Sequence, residues 1–225
     1  MRGLFISGVG TGVGKTYVTR GLARALSARG RVAAFKPLET GVAPAAEDAL
    51  ALSRACQEPG LAALPGLYRA APPLAPWAAT LAGEPPPPSL EALRSTLRAA
   101  SAPFEWILVE AAGGLLAPID AEHTMAELAR ALALPILLVA SNGLGVLSYV
   151  LTAAESAERR GLPIEALVLV DAERRDPSQA SNARILEQRL QRPALRFRRC
   201  PNDDDALAAE AARAGLIDLP ALAAR

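Results

Sequence analysis

The sequence predicts an α/β fold in which helices cover both faces of a mostly parallel sheet. Short apolar runs of strand length alternate along the chain with longer alanine-rich segments of helical pattern. The apolar runs are continuous and do not alternate with polar residues, which is typical of strands buried on both faces. A hydrophobic content of 51% over 225 residues is sufficient for one large core. We therefore expect residues 1–225 to form a single α/β domain.

The apolar runs and the segments between them predict the individual elements. Strands are expected at Leu4–Ser7, Val32–Phe35, Trp106–Glu110, Ile136–Ala140, Ala166–Val170 and, with a less apolar sequence, Leu195–Phe197. Helices are expected at Thr16–Ala28, Asp48–Cys56, Leu90–Ala100, Met125–Leu132, Val146–Arg160 and Gln179–Leu190. Ser89 is a plausible helix N-cap, and Gly30 and Gly161 follow predicted helices as C-cap glycines.

Residues 59–88 have a different composition, rich in proline and containing the run Pro85–Pro88. Such a segment is either a linker between two domains or a long irregular excursion on the surface of one domain. Neither flank contains enough predicted strands for a complete sheet, which favours the excursion.

Charge and composition exclude several classes of protein. The 24 Lys and Arg residues nearly cancel the 23 Asp and Glu residues, so the chain has no basic surplus for binding nucleic acid. No apolar run reaches the ~18 residues that a membrane helix needs. Two cysteines without metal-ligand spacing and a lone histidine, His123, leave no basis for a transition-metal site or a His-based triad. We expect a reduced, cytoplasmic protein with no nucleic-acid or membrane partner.

Only two of the 24 cationic residues are lysines, Lys15 and Lys36. A genome biased toward Arg, Ala and Pro codons accounts for the bulk composition, but it does not explain why these two positions are lysine. A lysine ammonium is a compact point charge with an adjustable pKa, whereas a guanidinium is a planar fork.

A glycine-rich segment, Gly8–Thr16, follows the first predicted strand and precedes a helix; it reads Gly-Val-Gly-Thr-Gly-Val-Gly-Lys-Thr. Successive backbone N–H groups and a helix N-terminus at such a turn form a cradle for polyphosphate. Lys15 would reach the terminal phosphates and the Thr16 hydroxyl would bind Mg²⁺. Val9 stands where the standard P-loop spacing has glycine. The alternative to a phosphate-binding loop is a tight glycine turn that joins the strand to the helix without binding a ligand. The motif favours a P-loop NTPase fold.

Three further charged residues lie where strands end or a helix begins, the edge at which parallel sheets bind ligands. Glu110 closes a strand and precedes the small residues Ala111, Ala112, Gly113 and Gly114, which favours metal binding over a strand end facing water. Asp48 opens a helix and is either a metal ligand or a partner of the helix dipole. Lys36 follows the second strand and is either solvated or directed at the site.

Four segments in this order resemble the dethiobiotin synthetases of biotin synthesis: Gly8–Thr16, Lys36–Gly41, Glu47–Leu52 and Val109–Gly114. The family's own glycine spacing accounts for Val9. The resemblance implies a ligase that joins CO₂ to 7,8-diaminononanoate with ATP as cosubstrate and Mg²⁺ as cofactor. An amine would form a carbamate, the carbamate would attack the γ-phosphate, and the second amine would close the carbamic-phosphoric anhydride to dethiobiotin, releasing ADP and phosphate.

The resemblance also implies the roles of individual residues. Lys15 and Lys36 would be catalytic, converging on the carbamate and the γ-phosphate, and Thr40 would bind substrate. The metal would be held by Thr16, Asp48 and Glu110. The implied nucleotide-binding residues are Gly12, Val13, Gly14, Lys15, Thr16, Tyr17, Asp48, Glu110, Ala111, Ala112, Gly113, Asp171, Pro201, Asn202 and Asp203.

Members of this family are homodimers whose substrate lies across the interface, with its carboxylate near a helix start of the partner. The corresponding stretch is Asn142–Tyr149, in which Gly145 is the implied substrate residue. This stretch is one residue shorter than in the family and lacks its Asn-His pair. Trp77, where the family has a Ser-Pro-His segment, packs either on the substrate's apolar chain or in the core.

Two more positions depart from the family. Ala111 stands where glycine is usual, which narrows the loop behind Glu110. Asp171 stands where the family has an asparagine that recognises adenine. A carboxylate accepts hydrogen bonds but cannot donate to a ring nitrogen, so use of other nucleoside triphosphates is a hypothesis to be tested.

Two other P-loop classes are alternatives. Partitioning and carrier ATPases have an extra lysine two residues before Gly12, where this chain has Gly10. Amidoligases of the cobyrinic acid type bring a glutamine-hydrolysing domain with a catalytic Cys and His, for which the chain is too short. A nucleotide-dependent binding module, the non-enzymatic alternative, would bind ATP without releasing phosphate.

Overall fold

A computed structural model describes residues 2–174 and 176–223. The strands are β1 (Arg2–Gly8), β2 (Val32–Phe35), β3 (Leu38–Thr40), β4 (Tyr68–Ala70), β5 (Trp106–Gly114), β6 (Ile136–Asn142), β7 (Ile164–Asp171) and β8 (Ala194–Phe197). The helices are α1 (Lys15–Ser27), α2 (Glu47–Ala55), α3 (Pro76–Leu81), α4 (Leu90–Ser101), α5 (Met125–Leu132), α6 (Val146–Arg159), α7 (Asn182–Leu190) and α8 (Asp204–Arg213). Short 3₁₀ turns occur at Pro59–Ala63, Pro177–Ala180, Leu216–Asp218 and Pro220–Leu222.

Six of the described strands form one parallel sheet in the order β2-β5-β1-β6-β7-β8. Helices α4, α5, α6 and α7 pack on one face, and α1, α2 and α8 pack on the other. Alternate residues of each strand therefore enter different cores: Phe5 of β1 faces the first set of helices, and Leu4 and Ile6 face the second. The predicted fold class, a mostly parallel sheet with helices on both faces, is confirmed.

The strand register determines where the functional side chains meet. Phe35 of β2 pairs with Val109 of β5, so the next residues, Lys36 and Glu110, are neighbours at the carboxyl edge. Ile6 of β1 also pairs with Glu110, which brings the glycine-rich turn after β1 to the same edge. The sheet thus places three chain segments, distant in sequence, at one point.

All six predicted strands are present, and the predicted helices are present with small shifts of their ends. The largest shift is in β5, which was expected to end at Glu110 and continues to Gly114. At α7, the segment Pro177–Ala180 is a 3₁₀ turn and the helix begins at Asn182. Among the predicted caps, Ser89 Oγ accepts from Ala92 N at 3.2 Å, and Gly161 has a φ of 64°.

The prediction of Gly30 as the C-cap glycine of α1 is wrong: the C-cap is Ala28, and Gly30 lies two residues further on without a positive φ. A Cβ atom on Gly30 would lie 2.1 Å from Glu105 Oε1, the end of a flexible side chain that can turn aside.

The proline-rich segment 59–88 contains more regular structure than an irregular excursion. It includes the first 3₁₀ turn, α3 and strand β4, which pairs in parallel with β3 to form a separate two-stranded ribbon. Neither this ribbon nor α3 and α8 were predicted from the sequence. Within the described part of the chain, the structure contains no helix that is both long and apolar enough to cross a membrane.

Candidate nucleotide and metal site

The glycine-rich turn between β1 and α1 forms a cradle open at the helix N-terminus. Gly12 and Gly14 have φ values of 72° and 96°, which only glycine adopts readily. Gly14 is the N-cap of α1 and has no side chain to accept from the first-turn N–H groups. Because these donors have no partner within the helix itself, they can bind an anion.

Lys15, the first residue of α1, lies over this cradle. Its Nζ donates to Gly10 O at 2.8 Å, and its side chain is largely buried. Burial and the nearby charge of Lys36 lower the pKa of Lys15 to about 8. An anion entering the cradle would therefore meet an ammonium that is held close to its point of deprotonation.

Four polar side chains form an ion cluster beside the cradle: Thr16, Lys36, Asp48 and Glu110. Lys36 Nζ lies 2.7 Å from Glu110 Oε1 and 2.9 Å from Asp48 Oδ2. Thr16 Oγ1 lies 2.8 Å from Glu110 Oε1 and 3.1 Å from Asp48 Oδ1. The structure thus brings together the residues that the sequence assigned to the metal and to the γ-phosphate.

The pKa values of Lys36 and Asp48 are shifted in opposite directions, each toward its charged form. Burial favours the neutral form of Lys36, but Glu110 and Asp48 raise the pKa of its ammonium above the usual value. Burial likewise opposes ionisation of Asp48, but the charge and hydrogen bond of Lys36 lower the pKa of that carboxyl. Removing one partner of such a buried ion pair strongly destabilises the folded protein, because the other charge is left without compensation.

The cluster fits a magnesium ion. Glu110 Oε2 is buried and, among residues 2–174 and 176–223, has no hydrogen-bond partner. A threonine hydroxyl and two carboxylates are hard oxygen donors of the kind that Mg²⁺ prefers. No group of three or more His, Cys, Asp or Glu residues within the same ranges is arranged to hold a metal. Mg²⁺ does not need one, because it retains waters and phosphate oxygens as ligands.

The cradle and the ion cluster open into one cleft of about 620 Å³. The predicted residues that line it are Gly12, Gly14, Lys15, Thr16, Tyr17, Lys36, Thr40, Asp48, Ala112 and Gly113. The stretch Pro73–Pro76 of the proline-rich segment also lines the cleft. It directly precedes Trp77, for which a contact with the substrate was one of the two predicted alternatives. Ala111 is buried behind the cleft, where its carbonyl accepts from Lys36 Nζ at 3.3 Å.

Residues 2–203 match the family model described as an AAA domain. An ATP-dependent dethiobiotin synthetase of Anaeromyxobacter dehalogenans strain 2CP-C is 46% identical over 173 residues, which are 75% of this chain and 76% of that protein. The dethiobiotin synthetase of Aquifex aeolicus is 37% identical over 82% of this chain and 83% of its own length. This chain belongs to the dethiobiotin synthetase family. It is an ATP-dependent ligase, a cyclo-ligase, of biotin biosynthesis.

Solved structures of more distant proteins show the P-loop fold alone. The septum site-determining protein MinD of Pyrococcus horikoshii, complexed with Mg-ADP, superposes with a TM-score of 0.54 at 16% identity, over 92% of this chain and 86% of its own. A ParA family ATPase of Chlorobium tepidum superposes with a TM-score of 0.52 at 15% identity, over 98% and 95%.

In this member of the dethiobiotin synthetase family, the position expected to recognise adenine is held by an ion pair. Asp171 accepts from Arg196 Nε with both oxygens, at 2.7 and 3.0 Å, and lies 3.4 Å from the Asn142 amide nitrogen. It lines a second cavity of about 850 Å³ together with Arg198 and Arg199. The Asp171 carboxylate is therefore directed at the Arg196 guanidinium. This guanidinium is a hydrogen-bond donor at the base position that was not predicted from the sequence.

The loop expected to complete the base pocket is tied to the protein by its own side chains. Asn202 Oδ1 accepts from Arg20 at 2.7 Å, and Asp203 caps α8 by accepting from Ala206 N at 2.9 Å. Pro201 is exposed. None of Pro201, Asn202, Asp203 and Val13 is among the described residues that line the 620 Å³ cleft.

Tyr17 anchors the same loop. Its hydroxyl accepts from Cys200 N at 2.8 Å and donates to Cys200 O at 2.6 Å. Its ring packs edge-on against Phe197 at 5.6 Å between centroids. Tyr17 lines the cleft, but its hydroxyl is occupied by protein, so it can contact a nucleotide only through its ring.

The implied substrate residue Gly145 caps the start of α6 with a φ of 89° and is absent from the lining of the 620 Å³ cleft in the described chain. Near it, Leu144 N donates to Asp176 Oδ2 at 3.1 Å, so a carboxylate of the same chain already accepts from one backbone amide at this helix start.

Trp77 is 37% exposed on α3, next to Pro76 of the cleft wall, and is therefore not a core tryptophan.

Two charged side chains that contact the main chain beside the ion cluster were not predicted from the sequence, Glu39 of β3 and Arg69 of β4. Glu39 accepts from Asp48 N at 2.8 Å and from Ala49 N at 3.1 Å. Arg69 Nη1 donates to Lys36 O at 2.9 Å. Burial raises the pKa of Glu39, and the two amide bonds oppose that change. The sequence contains one signal for such a residue: Ala46 precedes α2 and has no side-chain acceptor, so another side chain must cap the helix.

Proposed function

We propose that this chain forms dethiobiotin from 7,8-diaminononanoate, CO₂ and ATP. The supporting observation is the convergence, in one cleft, of the P-loop Lys15, the buried Lys36 and the hydroxyl residue Thr40. A cyclic urea built through an acyl phosphate requires cations beside both the carbamate and the transferring phosphoryl group. Two such cations, Lys15 and Lys36, line the cleft.

In the first step, one substrate amine attacks CO₂ and loses a proton, giving a carbamate. Lys36 would hold this anion, because its ammonium lies at the cleft wall and remains charged beside Glu110 and Asp48. Thr40, at the end of β3, lines the same cleft and would hydrogen-bond the substrate there. These contacts place the reactants and leave covalent chemistry to the substrates.

In the second step, a carbamate oxygen attacks the γ-phosphorus and ADP leaves. Lys15 and the first-turn N–H groups of α1 would bind the phosphate oxygens, exchanging the contact of Lys15 with Gly10 O for one with phosphate. Thr16, Asp48 and Glu110 would hold Mg²⁺, which neutralises phosphate charge when bound. The second amine then attacks the anhydride carbon, expels phosphate and loses a proton to solvent, which closes the ring.

We further propose a homodimer with the substrate carboxylate at the Gly145 helix start of the partner. Two large apolar side chains are exposed at this helix start, Leu144 at 86% and Tyr149 at 64%, which supports a surface that is covered in the assembly.

We also propose that residues 1–225 form a single domain and that the protein is cytoplasmic. The free thiols of Cys56 and Cys200 suit the reducing conditions of that compartment.

The Asp171–Arg196 ion pair bears on which nucleoside triphosphate the protein uses. The Asp171–Arg196 pair offers an acceptor and a donor in place of the asparagine expected there. We propose that selectivity for ATP is relaxed, and turnover with ATP, CTP and GTP tests this. A strong preference for ATP would contradict relaxed selectivity and leave the proposed reaction intact.

The deciding experiment incubates the protein with ATP, Mg²⁺, bicarbonate and 7,8-diaminononanoate and detects dethiobiotin by mass. We expect product and phosphate in equal amounts, and no phosphate when the diamine is omitted. Absence of product would overturn the proposed function. Phosphate release without diamine would instead favour a switch ATPase.

A further inference from the structure

Helix α2 delivers Asp48 to the ion cluster, but its N-terminus is capped from another element. The N-cap residue is Ala46, whose methyl group cannot accept a hydrogen bond. Glu39 of β3 accepts instead from the N–H groups of Asp48 and Ala49, at 2.8 and 3.1 Å. These are the second and third residues of the helix, the donors that an N-cap side chain normally satisfies.

The capping carboxylate is rigidly held. Glu39 is only 6% exposed, so water does not weaken its two charge-assisted bonds. In the parallel ribbon it pairs in register with Arg69, whose Nη1 donates to Lys36 O at 2.9 Å. The ribbon therefore contacts the main chain on both sides of the ion cluster: the amide of Asp48 and the carbonyl of Lys36.

Asp48 depends on this main-chain support. Its side chain is 40% exposed, so packing does not fix its rotamer. Its two oxygens must nevertheless reach Thr16 at 3.1 Å and Lys36 at 2.9 Å. A small rotation of the first turn of α2 would move both oxygens together and open the oxygen donor set for Mg²⁺.

We propose that Glu39 is a positioning residue that caps α2 from the ribbon and thereby directs the Asp48 carboxylate into the metal site. This inference rests on the proposed function of Thr16, Asp48 and Glu110 as metal ligands. Glu39 acts through the backbone of Asp48. A glutamine at position 39 would keep the size of the side chain but would present an NH₂ group to one of the two N–H donors.

The test measures Mn²⁺ binding in the presence of ADP, by electron paramagnetic resonance of the free ion, alongside thermal unfolding. Glu39→Gln should weaken Mn²⁺ binding about 10- to 100-fold, the usual effect of losing a partner of a metal ligand. Its melting temperature should fall by only about 2–4 °C. Glu47→Gln is the matched control, because it removes an exposed carboxylate from the same helical turn; it should bind Mn²⁺ like the wild type.

A rescue separates capping from any other role of the carboxylate. Glu39→Ala should lose affinity, and the double variant Glu39→Ala/Ala46→Ser should regain most of it, because serine at the N-cap accepts from the same amides. Wild-type affinity in Glu39→Gln, or no recovery in the double variant, would overturn the inference. If Glu39→Ala does not fold, the pair Glu39→Gln and Glu47→Gln decides. If the wild-type protein does not bind Mn²⁺ in the presence of ADP, the proposed metal site itself is wrong. If the wild type binds Mn²⁺ and only the Glu39 variants behave differently from the expectation, the positioning role of Glu39 alone is wrong.

Discussion

Lys36 is the residue at which an ammonium and a guanidinium should differ most. It is buried and contacts Glu110 Oε1 and Asp48 Oδ2 at 2.7 and 2.9 Å, in a space that a planar guanidinium exceeds. We expect Lys36→Arg to lower turnover about 100- to 1000-fold, the loss that follows removal of one preorganised charge contact. Steady-state kinetics measure this, and circular dichroism should show an intact fold. Lys15→Arg should have a similar effect.

A conservative exchange on the surface is the control. Arg94 forms an exposed pair with Glu91, and Arg94→Lys should leave turnover unchanged. If Lys36→Arg retains near-normal activity, positive charge alone suffices at this position. The scarcity of lysine in the chain would then be a matter of codon usage.

Lys15 should make nucleotide binding depend on pH. Burial and the charge of Lys36 lower its pKa to about 8 in the free protein, although Glu110 and Asp48 oppose the change. Bound phosphates favour the ammonium and raise the pKa again. Below pH 8 Lys15 is already charged, whereas above pH 8 binding must take up a proton. We therefore expect ADP affinity to fall as pH rises above about 8, by up to about tenfold per pH unit.

Calorimetry in two buffers of different ionisation enthalpy measures this proton uptake directly. Uptake should be close to zero at pH 7 and rise toward one proton at pH 9. Lys15→Arg should abolish the pH dependence, because a guanidinium stays charged throughout this range. Uptake at pH 9 that persists in Lys15→Arg would assign the proton to another group.

At the residue scale, the sequence predicted those site residues that lie at the ends of predictable elements. Lys15 and Thr16 follow a glycine-rich turn, and Lys36 follows β2. Glu110, which was expected to end its strand, lies within β5 beside Lys36, so their meeting follows from a parallel sheet. Glu39 could not be found in this way. Its role depends on the pairing of β3 with β4 and on the direction of α2, neither of which is encoded near Glu39 in the chain.

At the scale of elements, the close packing of α1 on α8 should be sensitive to one methyl group. A Cβ atom on Gly21 would lie 2.5 Å from Leu207 O, a backbone atom of α8 that cannot turn aside. Alanine gains about 1 kcal/mol in helix propensity, but overpacking against backbone costs more. We expect Gly21→Ala to lower the free energy of unfolding by about 1–2 kcal/mol net and to weaken ADP binding, because α1 holds Lys15.

Denaturant unfolding and ADP titration measure the two effects of Gly21→Ala. Gly60→Ala is the matched control, because a Cβ atom there would meet open space. Gly60→Ala should be at least as stable as the wild type. A Gly21→Ala protein as stable as the control would show that α8 moves freely against α1.

The elements differ in how far the sequence could predict them. Strands of the main sheet are continuous apolar runs bounded by turns, and all six were found. Helix α8 has a signal that was overlooked: Asp203 as N-cap, and Leu207 and Ala211 four residues apart on the buried side. The ribbon strands β3 and β4 have three residues each, too few for a periodic pattern, and only their pairing defines them.

At the scale of the whole molecule, the sheet separates the proposed phosphate site from the position proposed to recognise the base. The ion cluster lies at the carboxyl edges of β1, β2 and β5, whereas Asp171 ends β7. Tyr17 connects the two regions, because it follows the P-loop in sequence and holds Cys200 by both backbone groups. Gly145 is not among the described residues that line the cleft, so if it binds the substrate carboxylate as proposed, it does so from a partner chain.

The proposed dimer therefore predicts that two inactive variants restore activity when mixed. Lys36→Ala removes the carbamate cation, and Gly145→Val places a branched side chain at a φ of 89°, where it is strained. In a mixed dimer, one of the two shared sites contains both defects and the other contains neither. Random exchange of subunits should therefore recover about a quarter of wild-type turnover. Dimer exchange without any recovered activity would show that each site is built from a single chain, since only a shared site can separate the two defects.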